Sequence, residues 1–292
     1  YLAARTSALS YAVGEWARVW PLSRLIKMMG AYFIRRKSRG GLYRTVLSRY
    51  VQMATAGGVS QAIFPEGGLS LSGRLMPPKL GLLTYVLEGH DPEGRDVVFV
   101  PVAINYDRVL EDRVLIAAGA RGDRRFGARI SVVFRFIFSK FWQGMRGRVT
   151  RFGTAAVVFG EPLSLRSVGT DQSVEMLADD LMQRIEDAMP VLFVPLVSHV
   201  LAGRPAAVLF DELVVLIDAY VDEFRAYMPT REQSRVPDRT RQALQQLKKH
   251  QVIEETPRGW QVIPEQMAVL TFYANSIAHR INSTTRAIRP SI

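Results

Sequence analysis

Residues 64–81, FPEGGLSLSGRLMPPKLG, hold four glycines and three prolines between two apolar stretches, so no helix or strand can run through them. The segment follows Ala62-Ile63, which reads as the end of a buried strand, and Gly81 opens a helical apolar pattern through Leu82, Leu83, Val86 and Leu87. A strand that spills into a long loop and restarts as a helix is the connection of an α/β fold. The loop itself has two readings. It is a plain Gly/Pro-rich turn, or it is an anion cradle. In the second case the N–H groups around Gly67 and Gly68 approach the anion, Ser70 adds a hydroxyl, and Arg74 and Lys79 neutralise the charge.

Its neighbours in sequence bear on that choice. Upstream, a short strand at Phe33-Ile34 ends in Arg35-Arg36-Lys37-Ser38-Arg39-Gly40-Gly41, with four basic residues in five. The planar fork of Arg matches phosphate oxygens, while Lys37 and Arg39 read as a solvated basic loop. Downstream, residues 97–106 (VVFVPVAINY) form an unbroken apolar run with the composition of a buried parallel strand. Residues 7–20 read as a helix stopped by Pro21, and a second helix, 22–29, ends at Gly30. Trp16 and Trp20 beside Pro21 suit either a headgroup boundary or the core. Apolar residues at 42, 43, 46, 47, 50, 51 and 54 predict an amphipathic helix, a strand follows at 60–64, and another at 155–163. The resulting fold class is α/β, a central mostly parallel sheet flanked by helices, with a smaller, mainly helical C-terminal region.

Pro190, Pro195 and Pro205 mark a boundary, giving expected domains 1–200 and 201–292. The second holds helices at 206–228 and 238–250, a hairpin at 252–263 turning at Pro257-Arg258-Gly259, and a helix at 265–281. That order resembles a winged helix. Its second helix carries a single basic cluster, Lys248-Lys249-His250, so nucleic acid is not the expected partner.

Charge narrows the partners. Lys and Arg number 38 against 27 Asp and Glu, a formal net charge of +11, which draws a chain to phosphorylated substrates or anionic headgroups. There is no cysteine, so disulfides, thiolate metal sites and a cysteine nucleophile are excluded. The four histidines (His90, His199, His250, His279) form no pair at metal-ligand spacing, and no metal or cofactor is expected. No apolar run reaches the roughly 20 residues of a spanning helix. Within 121–151, arginines alternate with Phe134, Phe136, Phe138, Phe141 and Trp142. Phe134, Phe138, Phe141 and Trp142 share one helical face, which suits either a membrane surface or the cover of a sheet.

Three blocks, Gly30 to Arg36, Phe64 to Gly81 and Val100 to Asp107, resemble the glycerol-3-phosphate acyltransferases, specifically the larger bacterial membrane-associated type. That family shows G-x-x-F-I-R-R, then F-x-E-G-G-R-S-R-x-G-R-x-x-x-P-K-x-G, then a strand ending I/V-P-V-x-I-x-Y-(D/E). Phe159-Gly160-Glu161-Pro162 and the segment 270–279 (LTFYANSIAH) resemble its later parts. The resemblance implies transfer of a fatty acyl group from acyl-CoA or acyl carrier protein to the sn-1 hydroxyl of glycerol 3-phosphate. It also implies a peripheral position on an anionic membrane, at the cytoplasmic face. Arg35, Arg36, Glu66, Gly67, Gly68, Ser70, Arg74 and Lys79 are the implied substrate-binding residues.

Two departures stand out. The family carries its base in an earlier block, H-x-x-x-x-D, whereas no histidine of this chain has an Asp five residues on. In family order that block lies just before Tyr1, and the chain reads as a piece of something longer, inactive as it stands. The pattern E-G-G-R-S-R is here Glu66-Gly67-Gly68-Leu69-Ser70-Leu71, two cations having become leucine. The competing expectation is a non-catalytic, basic membrane-surface protein that keeps the fold.

Overall fold

A computed structural model of the chain describes residues 9–14, 22–34, 40–122, 153–168, 172–230, 233 and 235–281. In chain order the elements are β1 (Ser10–Gly14), α1 (Leu22–Met28), β2 (Ala31–Ile34), α2 (Gly41–Ala56), β3 (Gln61–Ala62), α3 (Gly81–Glu88), β4 (Val98–Phe99) and β5 (Val102–Tyr106). They continue with α4 (Asp112–Ala120), β6 (Ala155–Phe159), β7 (Leu163–Ser164), α5 (Leu165–Val168), α6 (Val174–Asp187) and α7 (Phe193–Ala202). Then come α8 (Phe210–Glu223), α9 (Val236–Lys249), β8 (Ile253–Thr256), β9 (Gly259–Val262) and α10 (Met267–Asn275). The architecture is mixed α/β, with a parallel sheet and a helical C-terminal region. Among the described residues no helix is long and apolar enough to cross a membrane.

The chain packs as two compact units that alternate along the sequence. The first comprises Tyr1–Gly68, Pro77–Pro101 and Glu161–Arg184. Its three-stranded sheet has the order β2-β1-β3, parallel throughout. The helix expected over 7–20 is therefore corrected. Ser10–Gly14 is the central strand of this sheet, paired from Tyr11 to Gly14 with Ala31 to Ile34 on one side and from Ser10 to Tyr11 with Gln61 to Ala62 on the other. Small and aromatic residues there satisfy either period, and two flanking partners for the backbone decide for the strand. The core of this unit gathers Val51, Leu83, Val86, Leu163, Leu165, Leu177 and Leu181, each 7% exposed or less.

The second unit comprises Leu69–Met76, Val102–Gly160 and Ile185–Ile292. The run 97–106 is a second correction, since it is two strands rather than one and neither is parallel. Within the first unit Val98–Phe99 pairs antiparallel with Leu163–Ser164, and within the second Val102–Tyr106 pairs antiparallel with Ala155–Phe159. Pro101 lies between them and cannot donate to a ladder, so the strand breaks there. Along β5 burial alternates, with Ala103 and Asn105 buried while Ile104 and Tyr106 are exposed.

Helix α7 is the centre of the larger core. Leu196 and Val197 have no exposure, and Leu213 and Ile217 of α8, Leu244 of α9 and Leu270 of α10 join them in one cluster. A helix apolar on all faces must be enclosed on all faces, and full burial of each large side chain contributes roughly 1.5–3 kcal/mol. Pro195 is tolerated because it sits in the first turn, where backbone N–H groups have no helical partner. The boundary expected at 200/201 concerns inherited domains, a different division from packing, and stays a proposal.

Candidate functional site

The loop 64–81 is built in two parts, each described within its own unit. In the first unit Phe64-Pro65-Glu66-Gly67 is a tight turn closed by the Gly67 N–H donating to the Phe64 carbonyl at 2.9 Å. Pro65 presets the second position of such a turn. The Lys79 N–H donates to the Pro65 carbonyl at 2.7 Å, tying the end of the loop to its beginning. Gly67 has φ +64, and a Cβ there would meet the Lys79 stem at 2.9 Å. The structure thus brings Glu66, Gly67 and Lys79 together, with Glu66 half-buried and Lys79 exposed. Arg35 and Arg36 lie outside the described residues, as does most of 121–151.

In the second unit residues 69–76 form a small internally bonded tip. The Ser70 hydroxyl donates to the Arg74 carbonyl at 2.7 Å, and the Arg74 N–H donates to the Ser72 hydroxyl at 3.4 Å. Gly73, with φ +83, is pressed so closely against the backbone of α10 that a Cβ would overlap the Phe272 carbonyl oxygen. Asn275 completes the clamp, its Nδ2 donating to the Ser72 carbonyl at 2.8 Å. Arg74 is exposed on this tip. Leu71, one of the two leucines at cationic pattern positions, packs against the core cluster and lies 3.3 Å from where a Gly119 Cβ would stand. An arginine would have to bury its charge there, whereas Leu69 is 59% exposed.

Several positioning residues carried no signal in the loop itself. Asn105 is buried, and its Nδ2 donates to the Pro190 carbonyl at 2.9 Å and the Ser276 hydroxyl at 3.3 Å. Asp107 accepts the Thr154 N–H at 2.9 Å and the Val194 N–H at 3.3 Å, and so caps the first turn of α7 from a distant part of the chain. Burial pushes the Asp107 carboxyl above its ordinary range, while those N–H donors pull it back. Tyr273 donates its hydroxyl to Asp112 Oδ2 at 2.7 Å and accepts the Val109 N–H at 3.2 Å. The segment 270–279 thus holds two loops of this unit, the tip 69–76 and the turn after β5. The hint in the sequence was the pairing of polar Asn275 with Tyr273 inside an apolar helix.

No histidine of the chain has an Asp in the family's spacing. His90 is half-buried, and its Nδ1 is enclosed with no hydrogen-bond partner. His250 has Glu255 five residues on, but Glu255 Oε2 accepts from Lys248 Nζ at 2.7 Å. His199 Nε2 lies 3.4 Å from the Tyr220 hydroxyl and burial lowers its pKa.

His279 is half-buried, with Nδ1 4.0 Å from Glu186 Oε1 and Nε2 enclosed without a partner. Burial, helped by the Arg280 charge, lowers its pKa from 6.5 to about 4. Such a shift stabilises the fold above pH 6.5 and is lost as pH falls toward 4. We expect stability to drop by on the order of 2 kcal/mol over that range, allowing for solvent screening at a partly exposed ring. Chemical denaturation at pH 7 and pH 4.5 checks this against His279→Phe, which should flatten that part of the profile. An unchanged slope in the variant removes His279 as its source.

Comparison with known proteins matches two stretches of the chain. Residues 4–105 match the model of the family described as "Acyltransferase", and residues 138–283 match that of the "Glycerol-3-phosphate acyltransferase C-terminal region". A glycerol-3-phosphate acyltransferase of Aeromonas hydrophila is 30% identical over 302 aligned residues, covering 92% of this chain and 35% of that protein. One of Pseudoalteromonas atlantica is 29% identical over 297, with the same coverage. The chain therefore spans about a third of the length of these relatives. Motif blocks, matched regions and relatives agree, and the chain belongs to the glycerol-3-phosphate acyltransferase family.

Proposed function

We propose that this chain supplies the fold and the phosphate-binding part of a glycerol-3-phosphate 1-O-acyltransferase of phospholipid synthesis. The observation that carries the reading is family membership over both matched regions, joined to a glycine-rich loop whose ends are tied at Pro65 and Lys79. In the reaction the sn-1 hydroxyl oxygen attacks the thioester carbonyl carbon of acyl-CoA or acyl carrier protein, and its proton passes to a base. The tetrahedral oxyanion collapses, the C–S bond breaks, and the thiolate leaves and takes up a proton. Such chemistry needs a base, an oxyanion partner, an anion site and an apolar acyl groove. The roles assigned here are phosphate binding for Arg35, Arg36, Arg74 and Lys79, and loop shape for Glu66, Gly67, Gly68 and Ser70.

Arg35→Gln is expected to weaken glycerol 3-phosphate binding by about 1.5–3 kcal/mol, as for one charge-assisted hydrogen bond. Calorimetric titration of the chain measures it, and an unchanged affinity takes Arg35 out of the site.

The surface reading is also a proposal, in which the basic and aromatic stretch 121–151 lies on an anionic bilayer. Replacing Arg135 and Lys140 by Glu should abolish flotation with anionic liposomes at low salt, since each basic residue contributes about 1 kcal/mol near such a surface. Flotation equal to the parent would place the contact elsewhere.

A further inference from the structure

The second unit contains a cavity of about 430 Å³ that the loop 64–81 does not line. One wall is the turn after β5 and the start of α4, with Arg108, Asp112 and Arg113, and the other is the end of α9, with Lys249, His250 and Gln251. The walls are joined by Arg113, whose Nη2 donates to the His250 carbonyl at 2.8 Å. That bond also answers one of the carbonyls left open at the end of α9, where the helix dipole is negative. Gln251 takes the left-handed conformation, φ 55, and its turn is closed by the Val252 N–H donating to the Leu247 carbonyl at 3.0 Å. The bend sets Lys249 and His250 at the rim.

The charge balance of the lining is one-sided. Its single carboxylate, Asp112, already accepts from the Tyr273 hydroxyl through Oδ2 at 2.7 Å and from the Arg113 N–H through Oδ1 at 2.6 Å. Against it stand Arg108, Arg113 and Lys249, three cations less one anion, a surplus of two with His250 neutral. The volume is that of a small-molecule site, and lining rich in fixed cations selects anions.

We infer that this cavity is a site for a phosphate monoester, free or as a lipid headgroup, gripped by Arg108, Arg113 and Lys249 with His250 at its edge. The inference does not depend on the acyltransferase reading, because it rests on the charges that line this cavity and not on the motif blocks or the loop 64–81. His250 supplies a reporter. Burial lowers its pKa first, Arg108 lowers it further against the opposite pull of Asp112, and Lys249 and Arg113 add to the lowering. A dianion in the cavity cancels that surplus, so binding raises the His250 pKa and takes up protons.

The experiment is a histidine NMR titration of the whole chain labelled at the imidazole carbons, with His250→Asn identifying the resonance. Inorganic phosphate is added at constant ionic strength, and separately vesicles of phosphatidylcholine with and without phosphatidic acid. We expect a saturable shift of His250 and an upward move of its pKa. Lys249→Gln should weaken the response by about tenfold, the scale of one charge-assisted contact. Arg258→Gln, which removes an exposed charge from the hairpin turn outside the cavity, should leave it unchanged. A response to free phosphate identifies a soluble ligand, and one only to phosphatidic acid vesicles identifies a headgroup. No response to either probe overturns the inference. So does equal weakening by Arg258→Gln, or an equal response to a single-stranded oligonucleotide, whose phosphates are diesters.

Discussion

Incubated with radiolabelled glycerol 3-phosphate and palmitoyl-CoA, the 292-residue chain is expected to form lysolipid only at background. The reason is chemical. An alcohol attacking a thioester must lose a proton as the C–O bond forms, and a positioned base contributes ~10²–10⁴-fold to such a step. His90 and His279 each have one ring nitrogen enclosed, His199 sits against Tyr220, and His250 lies in the basic cavity, its +5 carboxylate held by Lys248. Burial lowers the basicity of His199, His250 and His279, and none of the four histidines has an Asp in the family's spacing. The complementary arm joins the chain to an upstream segment carrying H-x-x-x-x-D. Under the proposed function that arm should gain the lost factor, and His→Ala in the added block should remove it. Turnover by the 292 residues alone, comparable to a complete enzyme, would show that the base is elsewhere.

The second large effect is structural. Gly73→Ala should release the tip 69–76 from α10, with a loss of about 2–4 kcal/mol. The left-handed conformation costs an L-residue roughly 1–2 kcal/mol, and overpacking against a rigid backbone adds about 1–3 kcal/mol. Phe272 cannot yield, because its carbonyl belongs to a helix packed in the main core. The tip must move instead, which breaks the Asn275 bond to the Ser72 carbonyl and removes Leu71 from its packing. Hydrogen exchange of 69–76 and the thermal midpoint are the measurements. Fast exchange of the tip with an intact α10 is the expected pattern, and an unchanged midpoint with a protected tip would refute the clamp. Under the proposed function the same variant should also weaken phosphate binding, since Arg74 lies on the tip.

Much of this molecule was open to reading from the chain alone. Residues 64–81 were legible as a loop because four glycines and three prolines forbid both ladders of backbone bonding, whatever surrounds them. The helices Gly41–Ala56 and Val236–Lys249 follow from spacing, and the hairpin from Pro257-Arg258-Gly259. The motif blocks carried the family. All of these are local properties, in which the residues that decide the structure are within a few positions of one another.

What escaped was decided by partners far along the chain. Ser10–Gly14 is a strand because Ala31–Ile34 and Gln61–Ala62 flank it, and no periodicity within five residues records that. The run 97–106 turned out antiparallel because its partners, 155–159 and 163–164, arrive some fifty to sixty-five residues later from a direction composition does not encode. The roles of Asp107, Leu71 and Asn275 likewise exist only after folding, when an acid caps a helix 87 residues away and an amide grips a loop 203 residues away. Sequence alone determined which segments must bend, which must be buried and which carry phosphate-seeking charge, because those are properties of single side chains and short spacings. Only the tertiary structure decided which backbone groups answer one another and which charges meet around a cavity, because both depend on distances the linear chain does not contain.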